Sequence, residues 1–180
     1  MTINKYFNIA KKKLYPLNRS LTGKGTKKTL EILKKEFPKL TIKKIKSGTN
    51  VFDWKIPDEW NISDAYVIDK YGNKIIDFKK NNLHVIGYSK PITKTLYKEE
   101  LLKNIHSIKK QPNAIPYITS YYKRRWGFCL SYNDEKKIIK NYKKNDKFKV
   151  VIKSNFNNNG NLNYGEILLK GKSSDEILIS

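Results

Sequence analysis

The 180-residue sequence has a single cysteine, Cys129, which excludes an internal disulfide bond and any cysteine-based zinc knuckle. No run of apolar residues is long enough to cross a bilayer. The first residues, MTINKYFNIAKKKLYPLN, lack the apolar core and small-residue cleavage site of a secretory signal. We therefore expect a cytoplasmic protein that has one folded core, or one core plus a small insert, and does not enter a membrane.

Arginine is also scarce. It occurs only at Arg19, Arg124 and Arg125, so lysine supplies nearly all of the formal net charge of +22. The lysines are spread along the whole sequence, and Asn and Ile are abundant, a bias typical of an AT-rich genome. A dispersed lysine surface is usually just a solvated surface. We therefore expect no specific nucleic-acid partner, because the charge is present without a recognised nucleic-acid-binding module.

Histidine occurs twice, at His84 and His106, and the two residues do not form a ligand-spaced pair. A hydrolytic zinc site needs at least three His, Asp or Glu ligands around one ion. Paired carboxylates can also bind a metal or act as acid and base, but the densest group here has no histidine nearby. We interpret these carboxylates as turn and capping residues: Asp53, Asp58, Glu59 and Asp64.

Two glycines, Gly23 and Gly25, precede or begin a predicted helix. A glycine-rich turn at a helix start can hold an anion. The segment GKGTKKT lacks the spacing of a phosphate-binding loop, however, and no strand precedes it. A structural turn is the prediction.

Periodicity and turn residues predict an α/β protein. Four helices are expected: 3–14, a second ending at about 37, 95–108, and a fourth from 133 or 134 to 140. The second helix has three candidate N-caps, Ser20, Thr22 and Thr26. The expected strands are 40–44, 65–69, 74–78, 83–88, 148–154, 162–169 and 176–179, with hairpins around Gly72 and at Asn157 to Gly160.

The segment from Ile115 to Asn133 is rich in aromatic residues and contains the Arg124–Arg125 pair and the cysteine. One interpretation is a buried strand in which Trp126, Phe128 and Leu130 alternate toward the core. The other is a binding surface, because guanidinium groups beside aromatic rings suit stacking and bidentate contacts with carboxylate or phosphate groups.

Six stretches in this order resemble the N-terminal part of a bacterial family of aminopeptidase-like proteins, some of them labelled polysaccharide-biosynthesis proteins with an aminopeptidase-like domain. They are LYPLNRSLTGKG, SGTNVFDWKIPDEWNISDAYVID, KIIDFKKNNLHVIGYSKPI, PYITSYYKRRWGFCLS, LNYGEILLKG and EILIS. The resemblance implies an α/β core with a mixed sheet, like that of zinc aminopeptidases, interrupted by a smaller, mostly β insert. Residues 1–50 would begin the core, 51–144 would form the insert, and 145–180 would resume the core.

The resemblance also implies a co-catalytic zinc aminopeptidase in which the metal ligands follow the strand that matches EILIS. The sequence ends before that segment, so we expect no catalytic residue, no metal ligand and no cofactor in this chain, and no activity without the missing C-terminal part. The implied substrate is a peptide or amino-acyl compound. Candidate substrate contacts are Arg125, Trp126, Tyr121, Tyr122 and, more weakly, Arg19, and the alternative for each is a role in the core or in a domain interface.

Two other functions remain open from the sequence. The chain could be a free-standing basic module that binds an acidic glycan or nucleic acid, or an inert gene remnant. Sequencing the DNA beyond the last codon would distinguish these two functions from the aminopeptidase hypothesis. An in-frame or frameshifted continuation that encodes a His-Pro and acidic ligand segment would support the aminopeptidase hypothesis.

We predict that any binding to DNA or RNA is weak, insensitive to sequence and steeply dependent on salt. Dispersed lysines can neutralise phosphates but cannot read base edges. Salt titrations with single-stranded oligonucleotides test this, comparing the chain with a folded Trp126→Ala and Arg125→Ala variant. Binding that persists near physiological salt and is lost in the variant would contradict the prediction, because it would reveal base stacking at this segment.

Overall fold

The computed structural model describes residues 3–121 and 123–179. Four helices are present in this part of the chain: α1 (Ile3–Ile9), which continues as a π-helical turn over Ala10–Leu14, α2 (Lys24–Glu36), α3 (Lys98–Leu102) and α4 (Tyr132–Asn141). The strands are β1 (Thr41–Lys46), β2 (Asn50–Val51), β3 (Trp54–Lys55), β4 (Glu59–Ile68), β5 (Lys74–Asp77), β6 (Ile92–Tyr97), β7 (Ile105–His106), β8 (Phe128–Cys129), β9 (Lys147–Asn157) and β10 (Asn161–Glu166). The expected α/β class is confirmed.

The largest sheet is antiparallel and has the strand order β5-β4-β9-β6. Its inner strands alternate, so that Ala65 and Val67 of β4 and Val150 and Ile152 of β9 face one buried side. Further side chains from the sheet and from the segments packed on it complete this core, and burial of their apolar surface is the main source of its stability. They are Ile76, Val85, Leu101, Ile105, Phe128, Leu130, Ile138 and Phe148.

A separate two-stranded ribbon pairs β1 with β10. Helix α2 packs on this ribbon, and the contact is close at Gly165, where an added Cβ would lie 3.0 Å from both Leu30 and Leu40 side-chain carbons. None of the residues of α2 is fully buried. The helix and ribbon therefore form a thin layer rather than a closed core.

The predicted hairpin around Asn157 to Gly160 is wrong. The turn forms, because the Gly160 amide donates to the Asn157 carbonyl over 3.2 Å, but β9 and β10 enter different sheets. Strand β6 pairs with β9 only as far as Ile152, so an occupied edge does not explain why the hairpin fails to form. At the turn the Gly160 carbonyl accepts from the Ser47 amide over 3.0 Å, and β10 continues from there along β1.

Three other expected elements are corrected. Residues 83–88 form a short 3₁₀ turn and isolated bridges, because this segment passes beneath β8. Thr95 lies in β6 opposite Lys149, so the helix that was expected from residue 95 begins only at Lys98, where Glu100 accepts from the Tyr97 amide. Residues 176–179 form no strand and are exposed.

The division at residues 50 and 144 stays a prediction. Strand β9, which was expected to resume the core, is hydrogen-bonded to β4 and β6 of the proposed insert. Any boundary that keeps this sheet intact must therefore lie after β9. Among the described residues, no helix is long and apolar enough to cross a lipid bilayer.

We predict that Gly23→Ala lowers the free energy of unfolding by more than about 3 kcal/mol, because φ is +99° and a Cβ would lie 2.1 Å from the Trp60 carbonyl oxygen. Gly72→Ala is the matched control, since φ is +87° but nothing lies within 4 Å. It should cost only about 1 kcal/mol. Urea unfolding of both variants measures the difference, and equal losses would contradict the account of Gly23.

Candidate functional site

Tyr88 is a bulky residue in a left-handed backbone conformation, with φ of +62° and 2% of its surface exposed. Such a conformation is unusual for any residue other than glycine and needs support from its surroundings. The Tyr88 hydroxyl shares a hydrogen bond of 2.6 Å with Thr22 Oγ1, which also accepts from the Trp60 amide over 3.0 Å. Thr22 therefore connects the segment before α2 to the start of β4.

Aromatic rings surround Tyr88 and define what we call the Tyr88 cluster: Tyr88, Trp60, Tyr121 and Phe156. The Trp60 ring stacks on Tyr88 with centroids 5.7 Å apart, Tyr121 meets it edge-on at 5.8 Å, and Phe156 lies 6.2 Å away. The Trp60 indole N–H donates to the Ser89 carbonyl over 2.9 Å. Burial raises the pKa of Tyr88 to about 12, although the Thr22 bond acts to lower it.

The two adjacent arginines have different roles in the structure. Arg124 forms an ion pair with Asp58, and its guanidinium carbon lies 3.8 Å from the centroid of the Phe156 ring. This placement holds the loop before β8 against β9 and explains Asp58 as a pairing residue rather than a metal ligand.

Arg125 is exposed and forms no ion pair with a carboxylate of the described residues. Its Nη2 is 3.5 Å from the Thr119 carbonyl oxygen, while its own carbonyl accepts from the Lys90 amide over 3.0 Å. The backbone is therefore fixed while the guanidinium is available to a ligand.

The remaining predicted substrate contacts do not converge on one cavity. Tyr121 packs against Tyr88, and Trp126 is half-buried and edge-on to Phe128 at 6.4 Å. Arg19 donates to the Leu14 carbonyl over 2.6 Å and so ends the π-helical turn. Tyr122 lies outside the described residues. The buried-strand interpretation holds only in part. Phe128 and Leu130 are buried as it requires, but β8 has only two residues, and Cys129 between them is buried too, so burial does not alternate.

The histidines and the cysteine have structural surroundings. His84 Nδ1 lies 2.9 Å from the Cys129 carbonyl oxygen. Burial lowers the pKa of His106, and the Arg125 charge acts in the same direction. Burial raises the pKa of the Cys129 thiol to about 12. Across residues 3–121 and 123–179, no group of three His, Cys, Asp or Glu side chains could hold a metal ion, so the residues present do not fit a zinc site.

A polar cleft that was not expected from the sequence opens between the start of α2 and the strands β4 and β9, with a volume of about 330 Å³. Gly25 is one of its lining residues. A larger residue does not fit there, because a Cβ would lie 1.7 Å from the Asn18 carbonyl oxygen. The glycine pair is therefore needed for close packing, as the structural interpretation predicts. The sequence signal for the cleft was weak, because its walls come from three distant segments.

Comparison with known proteins gives the family. Residues 59–155, more than half of the chain, match a family described as a domain of unknown function (DUF2172). The chain belongs to this family. The matched range runs from the start of β4 to Asn155 in β9, and so contains the four-stranded sheet except for the last two residues of β9, and most of the Tyr88 cluster.

Two relatives extend the DUF2172 match to most of the chain. A Clostridium acetobutylicum protein, provisionally named polysaccharide biosynthesis protein with aminopeptidase-like domain, is 47% identical over 167 residues. These residues are 93% of this chain but 37% of the relative. A crystal structure from the same organism, provisionally described as a peptidase, is 45% identical with a TM-score of 0.77, covering 91% of this chain and 39% of that one. The resemblance read from the sequence is confirmed.

We predict that Thr22→Val lowers the free energy of unfolding by about 2–4 kcal/mol, because it leaves the buried Trp60 amide and Tyr88 hydroxyl without a partner. In the double variant with Tyr88→Phe, the loss should be smaller than the sum of the two single losses. Thr93→Val, on the exposed side of β6, is the control and should change stability by less than about 0.5 kcal/mol. Strictly additive losses would show that the two hydroxyls do not depend on each other.

Proposed function

We propose that this chain forms a substrate-facing part of an aminopeptidase-like hydrolase and that the zinc ligands belong to another part of such a protein. The observation that carries the proposal is the similarity to a protein named for an aminopeptidase-like domain. It extends over 93% of this chain but only 37% of that relative. What the relative's name describes need not reside in the shared portion.

A histidine and two carboxylates of the described residues support this division, because they have other partners. His84 is engaged with the Cys129 carbonyl, Asp58 pairs with Arg124, and Asp134 pairs with Lys137 over 2.7 Å. These groups are used to hold loops and helix ends. A metal-activated water, the usual nucleophile of such hydrolases, would have to be supplied by other residues.

One surface suits a large protein partner, which we propose to be the remainder of an aminopeptidase-like protein. In the described residues β1 pairs only with β10, so both outer edges of the ribbon lack a strand partner. Large apolar side chains are exposed as well, including Phe7 of α1 at 62%. Unpaired strand edges and exposed apolar side chains are characteristic of interfaces. Those of the first and last segments that are exposed include Ile3, Ile167, Leu168, Leu169, Ile177, Leu178 and Ile179.

Arg125 is the described residue best suited to contact a substrate. Its guanidinium is exposed and, in contrast to Arg124, is not paired with any carboxylate of the described residues. Its backbone carbonyl is held by the Lys90 amide. A guanidinium binds a carboxylate through two parallel hydrogen bonds, which suits the carboxylate of a short peptide. We assign it that role, with Trp126 as the adjacent wall and a peptide or amino-acyl compound as the substrate.

A second candidate function is binding of an acidic glycan by a basic module. The observation that favours it is the polar cleft beside α2, which is lined by two lysines and by no carboxylate. Nucleic acid is a less suitable ligand for this chain. Trp60 of the Tyr88 cluster has only 2% of its surface exposed, so its indole face cannot stack on a base.

We predict that the purified chain neither binds zinc stoichiometrically nor cleaves amino-terminal residues from peptides. Metal analysis after dialysis, together with an aminopeptidase assay with and without a chelator, tests both points. The full-length Clostridium acetobutylicum relative, assayed in parallel, is the control for the activity of the complete protein. Bound zinc at one or two equivalents, with chelator-sensitive cleavage by this chain alone, would contradict the proposal.

A further inference from the structure

The polar cleft is built from rigid elements. It lies where the first turn of α2 meets β4 and β9, and its 330 Å³ is near the lower end of the range of about 300–1,000 Å³ that is usual for small-molecule sites. Its wall is formed by amides, hydroxyls, two lysines, Gly25, Trp60 and Ile62, and it contains neither Asp nor Glu. A ligand of about one sugar ring therefore fits without repulsion between negative charges.

A β-bulge forms one rim. The register of β4 against β9 shifts between Ile62 and Asp64, so Ser63 is an additional residue without a cross-strand partner. Its hydroxyl donates to the Lys153 carbonyl over 3.2 Å, which brings Ser63 beside Lys153. Bulges commonly redirect a side chain at a binding site.

The Ser63 hydroxyl in the cleft is oriented as an acceptor. Ser63 Oγ donates to the Lys153 carbonyl over 3.2 Å. The hydroxyl has one proton, so what remains for a ligand is its lone pairs. Ser154 contributes no side chain here, because it shares the buried face of β9 with Val150 and Ile152 and its Oγ donates to the Ser89 carbonyl over 2.7 Å. The Asn155 amide is exposed and adds both a donor and an acceptor. Together these groups suit a ligand that has several hydroxyl groups of its own.

The two lysines of the cleft, Lys24 and Lys153, are exposed and form no ion pair with a carboxylate of the described residues. Lys43 and Lys70, by contrast, are paired with Glu166 and Asp146. Two unneutralised ammonium groups at one cleft attract an anion, and the net charge of +22 strengthens the surrounding field.

We propose that this cleft binds an anionic sugar of the hexuronate class. The carboxylate of the sugar contacts Lys24 and Lys153, and its ring hydroxyls donate to Ser63 and Asn155. Inorganic phosphate would satisfy the lysines but leave these two acceptors unused. A nucleotide would find no exposed aromatic face, because Trp60 is buried. The inference deepens the second candidate function, and its failure would leave the aminopeptidase proposal intact.

The experiment is an NMR titration of the ¹⁵N-labelled chain with galacturonate, with neutral galactose and with inorganic phosphate. Galacturonate should shift the amide signals of residues 18–25, 61–63 and 153–155 saturably, with a Kd on the order of 1 mM. The Lys24→Gln/Lys153→Gln double variant should bind roughly tenfold more weakly. Lys103→Gln removes an exposed lysine that does not line the cleft, and it should bind galacturonate like the parent chain.

Three results would overturn the proposal. Equal binding of galactose would show that the anion is not recognised. Equal binding of phosphate at the same residues would show an adventitious ion only. The absence of a saturable shift with galacturonate, in a chain whose spectrum and melting temperature are those of the folded protein, would show that the cleft is not a sugar site.

Discussion

The structure depends on the hydrogen bond between the Tyr88 hydroxyl and Thr22, and on the left-handed backbone that it supports. A non-glycine residue in such a conformation costs of order 1–3 kcal/mol and persists only when its surroundings determine it. Here a buried hydroxyl, a stacked indole and the packed rings of Tyr121 and Phe156 do so. Segments far apart in sequence meet at this one point, so the N-terminal segment, β4, β9 and the loop before β8 are coupled through it.

This coupling also explains how a strongly basic chain organises its few arginines. Most lysines are on the solvent side and neutralise nothing within the fold. Arg124 instead completes the Tyr88 cluster by lying over Phe156 and pairing with Asp58. The next residue, Arg125, shares the fixed backbone but keeps its guanidinium in solvent. A structural arginine therefore lies beside one that forms no ion pair with a carboxylate of the described residues, and it is this second arginine that we propose as the contact for a substrate carboxylate.

Local signals predicted the elements whose hydrogen bonds close within a few residues. The β4–β5 hairpin follows from Gly72 and from Asp69, whose carboxylate accepts from the Tyr71 and Asn73 amides. Helix α4 was expected from residue 133 or 134 and begins at Tyr132, after a cap at Ser131. The predictions were wrong for elements whose hydrogen-bond partners are distant in sequence. Thr95 is a plausible cap in sequence, but it pairs with β9 as part of β6. The Asn157–Gly160 turn leads into a different sheet, because the Gly160 carbonyl accepts from the Ser47 amide beside β1. The polar cleft was missed for the same reason, since a β-bulge and a helix start become neighbours only in the folded chain.

Native-state hydrogen exchange measures directly whether the Tyr88 cluster is the point on which the fold depends. Three backbone amides report on the cluster. The Trp60 amide donates to Thr22 Oγ1, the Gly87 amide to the Ile118 carbonyl, and the Ser120 amide to the Gly87 carbonyl. The amides of Val67 and Val150 report on the main sheet. Our account predicts that both groups exchange only through global unfolding, with the same free energy and the same dependence on denaturant. Exchange of the cluster amides at a clearly lower free energy, while the sheet stays protected, would contradict it.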